Sequence, residues 1–213
     1  MNFKNQLEGI NIFHIIRDLV EIHDIKTYVI GGYVRDLIIE RNSNDIDIMC
    51  LGSGIHLAQL FKNNIGESAS LTIYKQFGTA CVKYQKLEIE FVGARKESYR
   101  SESRKPIIEE GTLQEDQNRR DFTINALALS LNKKDFGELS DPFGGITDLA
   151  SKSIKTPLNP EDTFSDDPLR MLRAIRFASQ LNFDIESDTF YGIKKMSSRI
   201  SIVSQERITS ELN

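Results

Sequence analysis

Residues 31–47 have the sequence GGYVRDLIIERNSNDID, and they follow Thr27–Ile30, a short run of β-branched and aromatic residues. That run predicts a buried strand that ends at the two glycines, where the backbone can turn tightly. Apolar residues of 34–40 share one helical face, which predicts a short helix. Acidic and apolar residues alternate over 45–48, which predicts a second strand with both carboxylates on one face.

The glycine turn and the acidic pair are the two functional signals in this stretch. Gly31 and Gly32 leave their backbone N–H groups uncovered, which suits the close approach of a phosphate. Asp45 and Asp47 repel each other unless a cation lies between them, and hard oxygen ligands of this kind select Mg²⁺. A solvated strand edge is the alternative, because Asp-x-Asp is common and inert there. The phosphate-ready turn upstream favours the metal site.

Composition limits the chain to one good core, or to one domain with a smaller appendage. It has 213 residues and a mass of 24.3 kDa, with 39% hydrophobic and 27% charged residues, as soluble globular proteins do. No apolar run reaches the length of a membrane span, and the N-terminus lacks a signal-peptide layout. The net charge of −4 argues against this chain alone gripping a long nucleic acid, because phosphate neutralisation dominates such binding.

Cysteines and histidines are too few and too scattered for a zinc site. Cys50 and Cys81 lie in predicted strands, so we expect buried free thiols in a reducing cytoplasm. His14, His23 and His56 show no metal-ligand spacing.

Elements around the opening stretch predict an α+β fold. Apolar spacing predicts a helix over residues 3–23 and another after residues 52–54. Three strands of a meander follow at residues 71–74, 78–84 and 87–93. The result is a small sheet with helices on one side. In the last strand Glu90 points away from the core, which makes it a candidate third carboxylate; an exposed strand glutamate is the alternative.

The middle of the chain predicts a loop and then a helix. Residues 94–118 are polar and predict a long mobile loop, which inside a compact domain is usually functional. The next residues, RRDFTINA at 119–126, predict the start of a helix that packs on the sheet, with Asp121 as its possible cap. Arg119 and Arg120 would then lie at the positive end of that helix, so we expect them to face an anion.

The last part of the chain changes to a helical pattern from Asp162. Residues 166–178, DDPLRMLRAIRFA, begin with acidic caps and a proline in the first turn. Arg170, Arg173 and Arg176 recur every three residues and form one stripe on an otherwise apolar helix. Guanidinium groups among apolar neighbours need anionic or hydrogen-bonding partners, so we expect the stripe to face such groups. A salt-bridged surface stripe is the alternative.

Five motifs in this order resemble those of the bacterial-type (class II) tRNA nucleotidyltransferases and their poly(A) polymerase relatives. The motifs are GGxVRD with DxD at 31–47, RRDFTINA at 119–126, DPFGG with DL at 141–149, DDPLR at 166–170 and SQERITSE at 204–211. Asp166 stands where the family motif EDxxR has glutamate, a conservative departure. The resemblance covers residues 25–213.

The resemblance implies a polymerase-β-like nucleotidyltransferase head with a small mixed sheet and flanking helices, at residues 1–146. An all-helical, nucleotide-selecting neck would follow at residues 147–213. The family's flexible loop, which moves during nucleotide addition, lies at residues 94–118. The third motif joins head to neck, and the fifth is thought to brace the neck. Because residues 206–213 predict a helix just under way with no capping glycine or proline, we expect a truncated neck.

The implied reaction is in-line attack of an RNA 3′-hydroxyl on the α-phosphate of a nucleotide, with Mg²⁺ as cofactor and pyrophosphate leaving. Asp45 and Asp47 would supply the metal bridge, and Glu90, if it is the third carboxylate, would complete the catalytic carboxylates. For Arg35 the alternative to a triphosphate contact is an ion pair with Asp36 that stabilises the turn. The implied nucleotide-binding set is Gly31, Gly32, Arg35, Arg120, Asp121, Asn125, Asp167, Arg170, Arg173 and Arg176.

Base choice follows from two side chains of the fourth motif. A carboxylate only accepts hydrogen bonds and a guanidinium only donates them. Asp167 and Arg170 together therefore match the amino donor and ring-nitrogen acceptor of adenine and cytosine. Guanine and uracil place a carbonyl oxygen against the carboxylate and are rejected. We therefore predict ATP and CTP as substrates, without a nucleic-acid template.

The predicted function is addition of the 3′-CCA end to tRNA in the cytoplasm, with the tRNA gripped mainly by parts absent from this chain. Addition of A alone, or poly(A) synthesis, is the alternative, because those relatives share all these motifs. A metal-dependent glycosyltransferase is a remoter alternative, and it would not need the base selector. A non-catalytic nucleotide-binding module is another, and it would be expected to have lost a metal carboxylate.

Overall fold

The computed structural model describes residues 1–100 and 103–212, and it places the side chains of residues 1–95 and 109–212. Its helices are α1 Lys4–Glu8, α2 Asn11–His23, α3 Gly32–Ile38, α4 Gly54–Ile65, α5 Leu113–Asn118, α6 Gly145–Ala150, α7 Pro160–Asp166, α8 Leu169–Leu181, α9 Ser187–Met196 and α10 Gln205–Leu212. Its strands are β1 Thr27–Ile30, β2 Asp45–Cys50, β3 Ala69–Tyr74, β4 Thr79–Tyr84, β5 Leu87–Gly93, β6 Arg95–Arg100, β7 Ser103–Glu110, β8 Ala128–Ser130, β9 Leu139–Ser140, β10 Ser153–Ile154 and β11 Asp184–Ile185. Short 3₁₀ turns lie at Gly66–Ser68, Thr123–Asn125, Lys133–Asp135 and Ser197–Ile202.

The chain divides into two compact units, each built from separate segments. The first unit consists of Met1–Lys96, Glu109–Asp116 and Leu127–Asp141. The second unit consists of Glu97–Ile108, Gln117–Ala126 and Pro142–Asn213. A domain boundary between residues 146 and 147 stays a prediction.

Seven strands of the first unit form one sheet, in the order β3-β4-β5-β2-β1-β8-β9. Neighbouring strands run antiparallel, except that β2 and β5 are parallel. The mixed sheet with its helices confirms the α+β class, and β3, β4 and β5 confirm the predicted meander. In the second unit β10 and β11 form a short parallel pair.

Alternation along β2 decides which face of the sheet is buried. Ile48 is fully buried, whereas Asp45 is exposed and Asp47 is half-buried on the opposite face. Ile48 is paired with Phe91 of β5, whose ring centroid lies 5.4 Å from that of Phe61 in α4. Helix α4 therefore covers the apolar face, and the predicted strand with its acidic face is confirmed.

The helix predicted over residues 3–23 is broken in two. Helix α1 ends at Glu8 with Gly9 as its C-cap, and Ile10 is extended, with φ −120° and ψ 106°. Glycine is a weak helix former, and an extended residue interrupts the ladder of hydrogen bonds between residues four apart. The apolar spacing continues across the break, so spacing alone predicted a single helix.

The long loop predicted over residues 94–118 is wrong for the described part of that segment. Strands β6 and β7 form a two-stranded sheet and α5 follows them, while residues 101 and 102 lie outside the described chain. The Ala94 N–H donates to the Cys50 carbonyl (2.8 Å), and the Gly111 N–H donates to the Ala94 carbonyl (2.9 Å). Backbone pairing of this kind leaves no mark on composition, so the polar residues predicted a loop.

The helix predicted for the RRDFTINA segment is also wrong. Thr123–Asn125 form one 3₁₀ turn, and β8 follows as a strand between β1 and β9. The Leu127 carbonyl accepts a hydrogen bond from the Gly31 N–H (3.1 Å), so Leu127 lies at the end of β1. Every residue of β8 is buried, and periodicity does not distinguish helix from strand in a continuous apolar run. Arg119 and Arg120 therefore do not lie at the N-terminus of an α-helix.

Helices of the second unit follow the predicted pattern. The Asn159 side chain caps α7 by accepting from the Glu161 N–H (2.8 Å), and Pro160 occupies the first turn. Asp167 and Pro168 then separate α7 from α8. Across the described residues, no helix has the length and hydropathy needed to cross a bilayer.

We predict that Gly54→Ala destabilises the first unit. A Cβ at residue 54 would lie 2.6 Å from the backbone carbonyl carbon of Val92, which cannot rotate away as a side chain can. Overpacking of this kind costs roughly 1–3 kcal/mol, and urea unfolding would measure it. Gly9→Ala is the matched control, because its nearest atom, the Gln6 carbonyl oxygen, would lie 3.8 Å away. Equal unfolding midpoints for the two variants would contradict the close approach.

Candidate active site

Parallel pairing of β2 with β5 sets four acidic groups on one face of the sheet. Asp47 lies opposite Glu90, and Asp45 lies opposite Glu88. Asp45 and Glu90 are exposed and Asp47 is half-buried. The Lys83 Nζ donates to Glu88 Oε1 (2.5 Å), so that carboxylate is already balanced by a cation. The sequence predictions did not include Glu88, because the pairing of β2 with β5 is not visible in either strand alone.

An apolar cluster borders Asp47 on this same face. Asp47 is paired with Ile30 of β1. The cluster consists of the buried residues Ile30, Met49, Ala94 and Ala128, with Leu113 packed against it. It explains why Asp47 is less exposed than Asp45. Fewer water molecules around a carboxylate strengthen its attraction for a cation.

The donor chemistry of the acidic pair fits a hard divalent cation. Carboxylate oxygens suit Mg²⁺ and Mn²⁺, which keep water or substrate oxygens as their remaining ligands. Within residues 1–95 and 109–212, no group of three or more histidine, cysteine, aspartate or glutamate side chains is arranged to hold a metal ion. A cation at Asp45 and Asp47 would therefore depend on water or on a substrate for its other ligands. Glu90 as a third carboxylate stays a prediction.

The glycine turn differs from the prediction in one respect. Gly31 has a φ of 72°, which glycine adopts more readily than other residues. Its N–H donates to the Leu127 carbonyl, so the expectation of an uncovered N–H is wrong for Gly31. Gly32 begins α3, and the N–H groups of a first helical turn have no partner within the helix. The predicted backbone contact with a phosphate therefore depends on Gly32.

Arg35 is held in a two-point ion pair. It is 6% exposed, and its Nε donates to Asp36 Oδ1 (2.9 Å) while its Nη2 donates to Asp36 Oδ2 (3.0 Å). Pairing at both ends of the fork fixes the plane of the guanidinium. The ion pair that was the alternative for Arg35 is confirmed, and a contact with triphosphate stays a prediction.

Asp121 is a buried carboxylate of the second unit with several hydrogen-bond partners. It is 8% exposed, and its Oδ1 accepts from the Phe122 N–H (2.8 Å) and the Asn125 Nδ2 (3.1 Å). Its Oδ2 accepts from the Arg173 Nε and lies 2.8 Å from Arg173 Nη2. Burial raises the pKa of the Asp121 carboxyl, but the Arg173 guanidinium and the Asn125 hydrogen bond lower it, and the net pKa lies below its usual range. The Arg120 Nη1 donates to the Asn125 carbonyl (3.2 Å).

The arginine stripe of α8 has the partners that its apolar surroundings required. Arg173 Nη1 lies 3.5 Å from Glu211 Oε2, and the Arg176 Nε donates to Glu211 Oε1 (2.5 Å). The Arg176 Nη1 also donates to Gln180 Oε1 (3.0 Å). Burial lowers the pKa of Arg173, but the Asp121 carboxylate raises it, and the net pKa lies above its usual range. Acidic and basic groups thus alternate along this part of the second unit.

The two side chains predicted to select the base are also held by the protein. Asp167 Oδ1 accepts from the Leu169 N–H (3.2 Å), and Asp167 Oδ2 accepts from the Arg207 Nη2 (2.8 Å). The Arg170 Nη2 donates to the Arg119 carbonyl (2.6 Å). Each group therefore has a fixed direction before any nucleotide arrives.

Two residues of α10 were not among the predicted site residues. Arg207 and Glu211 bind Asp167 and the arginine stripe, and they lie four residues apart on one face of the helix. The opposite charges of Arg207 and Glu211 at this spacing were the sequence signal that could have identified them as site residues. Local patterns could not place α10 against α8, because the paired residues are far apart along the chain.

The two thiols are free and have no catalytic character. Burial raises the pKa of Cys50 to about 12. Burial, and then the nearby Glu88, raises the pKa of Cys81. A thiol with a raised pKa stays protonated at neutral pH and is a poor nucleophile. The expected burial is confirmed for Cys50 and wrong for Cys81, which is half-buried.

Comparison with known sequences identifies two matching family models and several enzyme relatives. The model described as the poly A polymerase head domain matches residues 27–155, and the one described as a probable RNA and SrmB-binding site of polymerase A matches residues 182–213. The chain is 42% identical over 165 residues to an A-adding tRNA nucleotidyltransferase of Aquifex aeolicus, covering 78% of the chain and 20% of that protein. It is 36% identical over 205 residues to a CC-adding tRNA nucleotidyltransferase of Halalkalibacterium halodurans, covering 96% of the chain and 47% of that protein.

Solved structures agree with these sequence relatives. An apo form of a CCA-adding enzyme matches with a TM-score of 0.89 and 34% identity, over 100% of this chain and 51% of that one. A tRNA nucleotidyltransferase complexed with a primer tRNA and an incoming ATP analog matches with a TM-score of 0.80 and 34% identity, over 92% of this chain and 54% of that one. The chain therefore spans between 20% and 54% of the length of these proteins.

We predict that Asp121→Asn removes part of the acid sensitivity of folding. Because the folded-state pKa of Asp121 lies below its ordinary value of 3.8, the ionised carboxyl stabilises the fold above that pH. This contribution is lost as the pH falls from 3.8 towards the folded-state pKa. The variant should lose roughly 2 kcal/mol at neutral pH and show a flatter decline below pH 4, measured by urea unfolding.

Asp18→Asn is the control for that experiment. It removes a carboxylate that is 64% exposed and paired with Arg17, and exposed pairs contribute little to stability. We expect this variant to follow the wild-type curve. A parallel decline of wild type and Asp121→Asn below pH 4 would show that Asp121 does not contribute in the way its contacts indicate.

Proposed function

Because the chain belongs to the poly(A) polymerase head-domain family, we propose that it transfers AMP and CMP from ATP and CTP to the 3′ end of RNA without a template. Addition of the CCA end to tRNA is the specific form that we propose. The carboxylate pair of β2 carries this proposal, since Asp45 and Asp47 share one face and Glu90 lies opposite Asp47. The relatives and solved structures support it, since each is named as a tRNA nucleotidyltransferase or a CCA-adding enzyme.

Nucleotidyltransferases of this family generally use a divalent metal ion. For this chain we propose Mg²⁺, held by Asp45 and Asp47 on the face that also carries Glu90. When bound, the ion stabilises negative charge on the attacking and leaving oxygens of an in-line displacement. The RNA 3′-hydroxyl releases its proton to solvent and its oxygen forms a bond to the α-phosphorus, while the bond from that phosphorus to the bridging oxygen of the β-phosphate breaks and pyrophosphate leaves.

Guanidinium groups and one backbone N–H are assigned to the triphosphate. The set is Gly32, Arg35, Arg120, Arg173 and Arg176. Carboxylates and carbonyl oxygens hold these guanidinium groups in place, so little reorganisation is needed when a phosphate arrives. The bonds that Asp121 makes to Asn125 and Arg173 support a role in holding Arg173, and a contact between Asp121 and the nucleotide stays a prediction.

Asp167 and Arg170 are assigned to the base. The Asp167 carboxylate would accept the amino group of adenine or cytosine, and the Arg170 guanidinium would donate to the ring nitrogen. A fixed carboxylate repels the carbonyl oxygen that guanine and uracil present instead. Both side chains are held by other parts of the second unit, which supports selection by rigid groups without a template.

Relatives of the chain are named for several related reactions. Because one relative is named as A-adding, addition of A alone stays an alternative to CCA addition. Poly(A) synthesis stays a second alternative. The CC-adding relative adds an alternative that sequence reasoning did not weigh. Because the chain spans about half the length of the CC-adding relative and has a net charge of −4, we propose that other parts of the whole protein supply most of the grip on tRNA. Free thiols support a cytoplasmic location.

We predict that Asp45→Asn or Asp47→Asn abolishes nucleotide transfer while the fold is kept. Each substitution keeps the size of the side chain and removes the charge that attracts the cation, and the expected loss is at least on the order of 10³-fold. Primer extension measures activity, and circular dichroism measures the fold. Glu67→Gln is the control, because it removes an exposed carboxylate that pairs only loosely with Lys62 (3.6 Å). Full activity in either aspartate variant would contradict the metal assignment.

Extension of a tRNA that lacks its CCA end tests the proposed specificity. With Mg²⁺, CTP alone should add two cytidines, and the final adenosine should appear only when ATP is also present. Adenosine added to a CC end alone, long A tails, or cytidines without adenosine would each contradict CCA addition and favour another branch. No extension, with no preference for ATP and CTP over GTP and UTP in binding, would contradict the proposed function itself.

A further inference from the structure

We propose that Arg207 of α10 sets base choice by holding Asp167 in position. The inference deepens the proposed function and rests on it, since it takes Asp167 as the group that accepts the base amino donor. Arg207 is a positioning residue here, because it acts through Asp167 and not on the nucleotide.

The contacts of Asp167 show how Arg207 would act. The Leu169 N–H occupies one carboxylate oxygen (3.2 Å), and the Arg207 Nη2 occupies the other (2.8 Å). The torsion that rotates a carboxylate is broad when nothing constrains it. Donors on two different oxygens fix that torsion, whereas the Leu169 N–H alone holds one oxygen only. A carboxylate has about four acceptor positions, so two donors still leave positions for a base.

A fixed carboxylate matters more for rejection than for acceptance. Adenine and cytosine bring a donor, and a rotating Asp167 carboxylate can still turn an oxygen towards it. Guanine and uracil bring a carbonyl oxygen, and repulsion excludes them only if Asp167 cannot turn away. Loss of Arg207 should therefore relax the exclusion of GTP and UTP more than it weakens the binding of ATP and CTP.

Helix α10 makes two sets of charged contacts, one through Arg207 and one through Glu211, and we expect them to have different effects on nucleotide binding. Arg207 and Glu211 lie four residues apart on one helical face. Arg207 binds Asp167, whereas Glu211 binds Arg173 and Arg176, the groups assigned to phosphates. Phosphates are common to all four nucleotides. A change at Glu211 should therefore alter the affinities for all four nucleotides together and leave their ratio unchanged.

Stability gives an independent readout. The Arg207 side chain is 55% exposed, and pairs at such sites contribute little to stability. If Arg207 acts on Asp167 as proposed, base choice changes while the unfolding midpoint stays near that of the wild type. A purely structural role would change stability and the affinity for every nucleotide together.

The test is calorimetric titration of ATP, CTP, GTP and UTP, with Mg²⁺ present, into the chain and four variants. Arg207→Gln removes the charge, and Arg207→Lys keeps it with a different donor geometry. Glu211→Gln removes the carboxylate charge that pairs with Arg173 and Arg176. Lys195→Gln is the control, because it removes an exposed cation of the second unit that pairs with Glu161 (2.7 Å).

For wild type we expect a clear preference for ATP and CTP over GTP and UTP. In Arg207→Gln that preference should fall on the order of tenfold, and Arg207→Lys should restore part of it. Glu211→Gln and Lys195→Gln should keep the wild-type preference. A wild-type preference retained in Arg207→Gln, or an equal fall in Glu211→Gln, would overturn the inference alone. No preference in the wild type would overturn both the inference and the proposed base selection.

Discussion

The register between β2 and β5 is the constraint on which the candidate active site depends. Side chains alternate between the faces of a sheet, so a slip of one residue would send Glu90 to the core face and bring an apolar residue beside Asp47. Ile48 and Phe91 prevent that slip because both are fully buried on the opposite face, and burial of each contributes roughly 1.5–3 kcal/mol. Packing of the core thus determines the position of the carboxylates and holds them together, although their like charges repel each other.

Charge balance plays the corresponding part in the second unit. Asp121, Arg173, Glu211 and Arg176 alternate in sign, and each is shielded from water to a substantial degree. Ion pairs in such places add little net stability compared with apolar side chains of the same size, because desolvation offsets the attraction. What the network does supply is fixed direction. A guanidinium held on two sides can meet an incoming anion without reorganising, and that is the condition under which electrostatic groups assist a reaction.

Local patterns predicted the parts of the fold that depend on neighbours in sequence. Alternation identified β2 and β5, and the adjacent pair Arg35–Asp36 was foreseen as an alternative to a nucleotide contact. Contacts between distant residues were beyond such reasoning. The Arg207–Asp167 pair joins residues 40 positions apart, and β8 is a strand only because β1 and β9 pair with it on both sides. The same limit explains why the prediction of a loop at residues 94–118 was wrong, because backbone hydrogen bonds leave no trace in composition.

The family relationship and the geometry both support one proposal. In this proposal the acidic face of β2 binds the divalent cation that is used for nucleotide transfer. Paramagnetic Mn²⁺ tests it directly, because it broadens the amide resonances of nearby residues in a ¹⁵N-labelled chain. With ATP present, we expect broadening at low Mn²⁺ to begin at Asp45, Asp47 and Glu90, and we expect Asp47→Asn to remove it. Broadening centred on other carboxylates, or unchanged broadening in the variant, would show that the cation does not bind at this face.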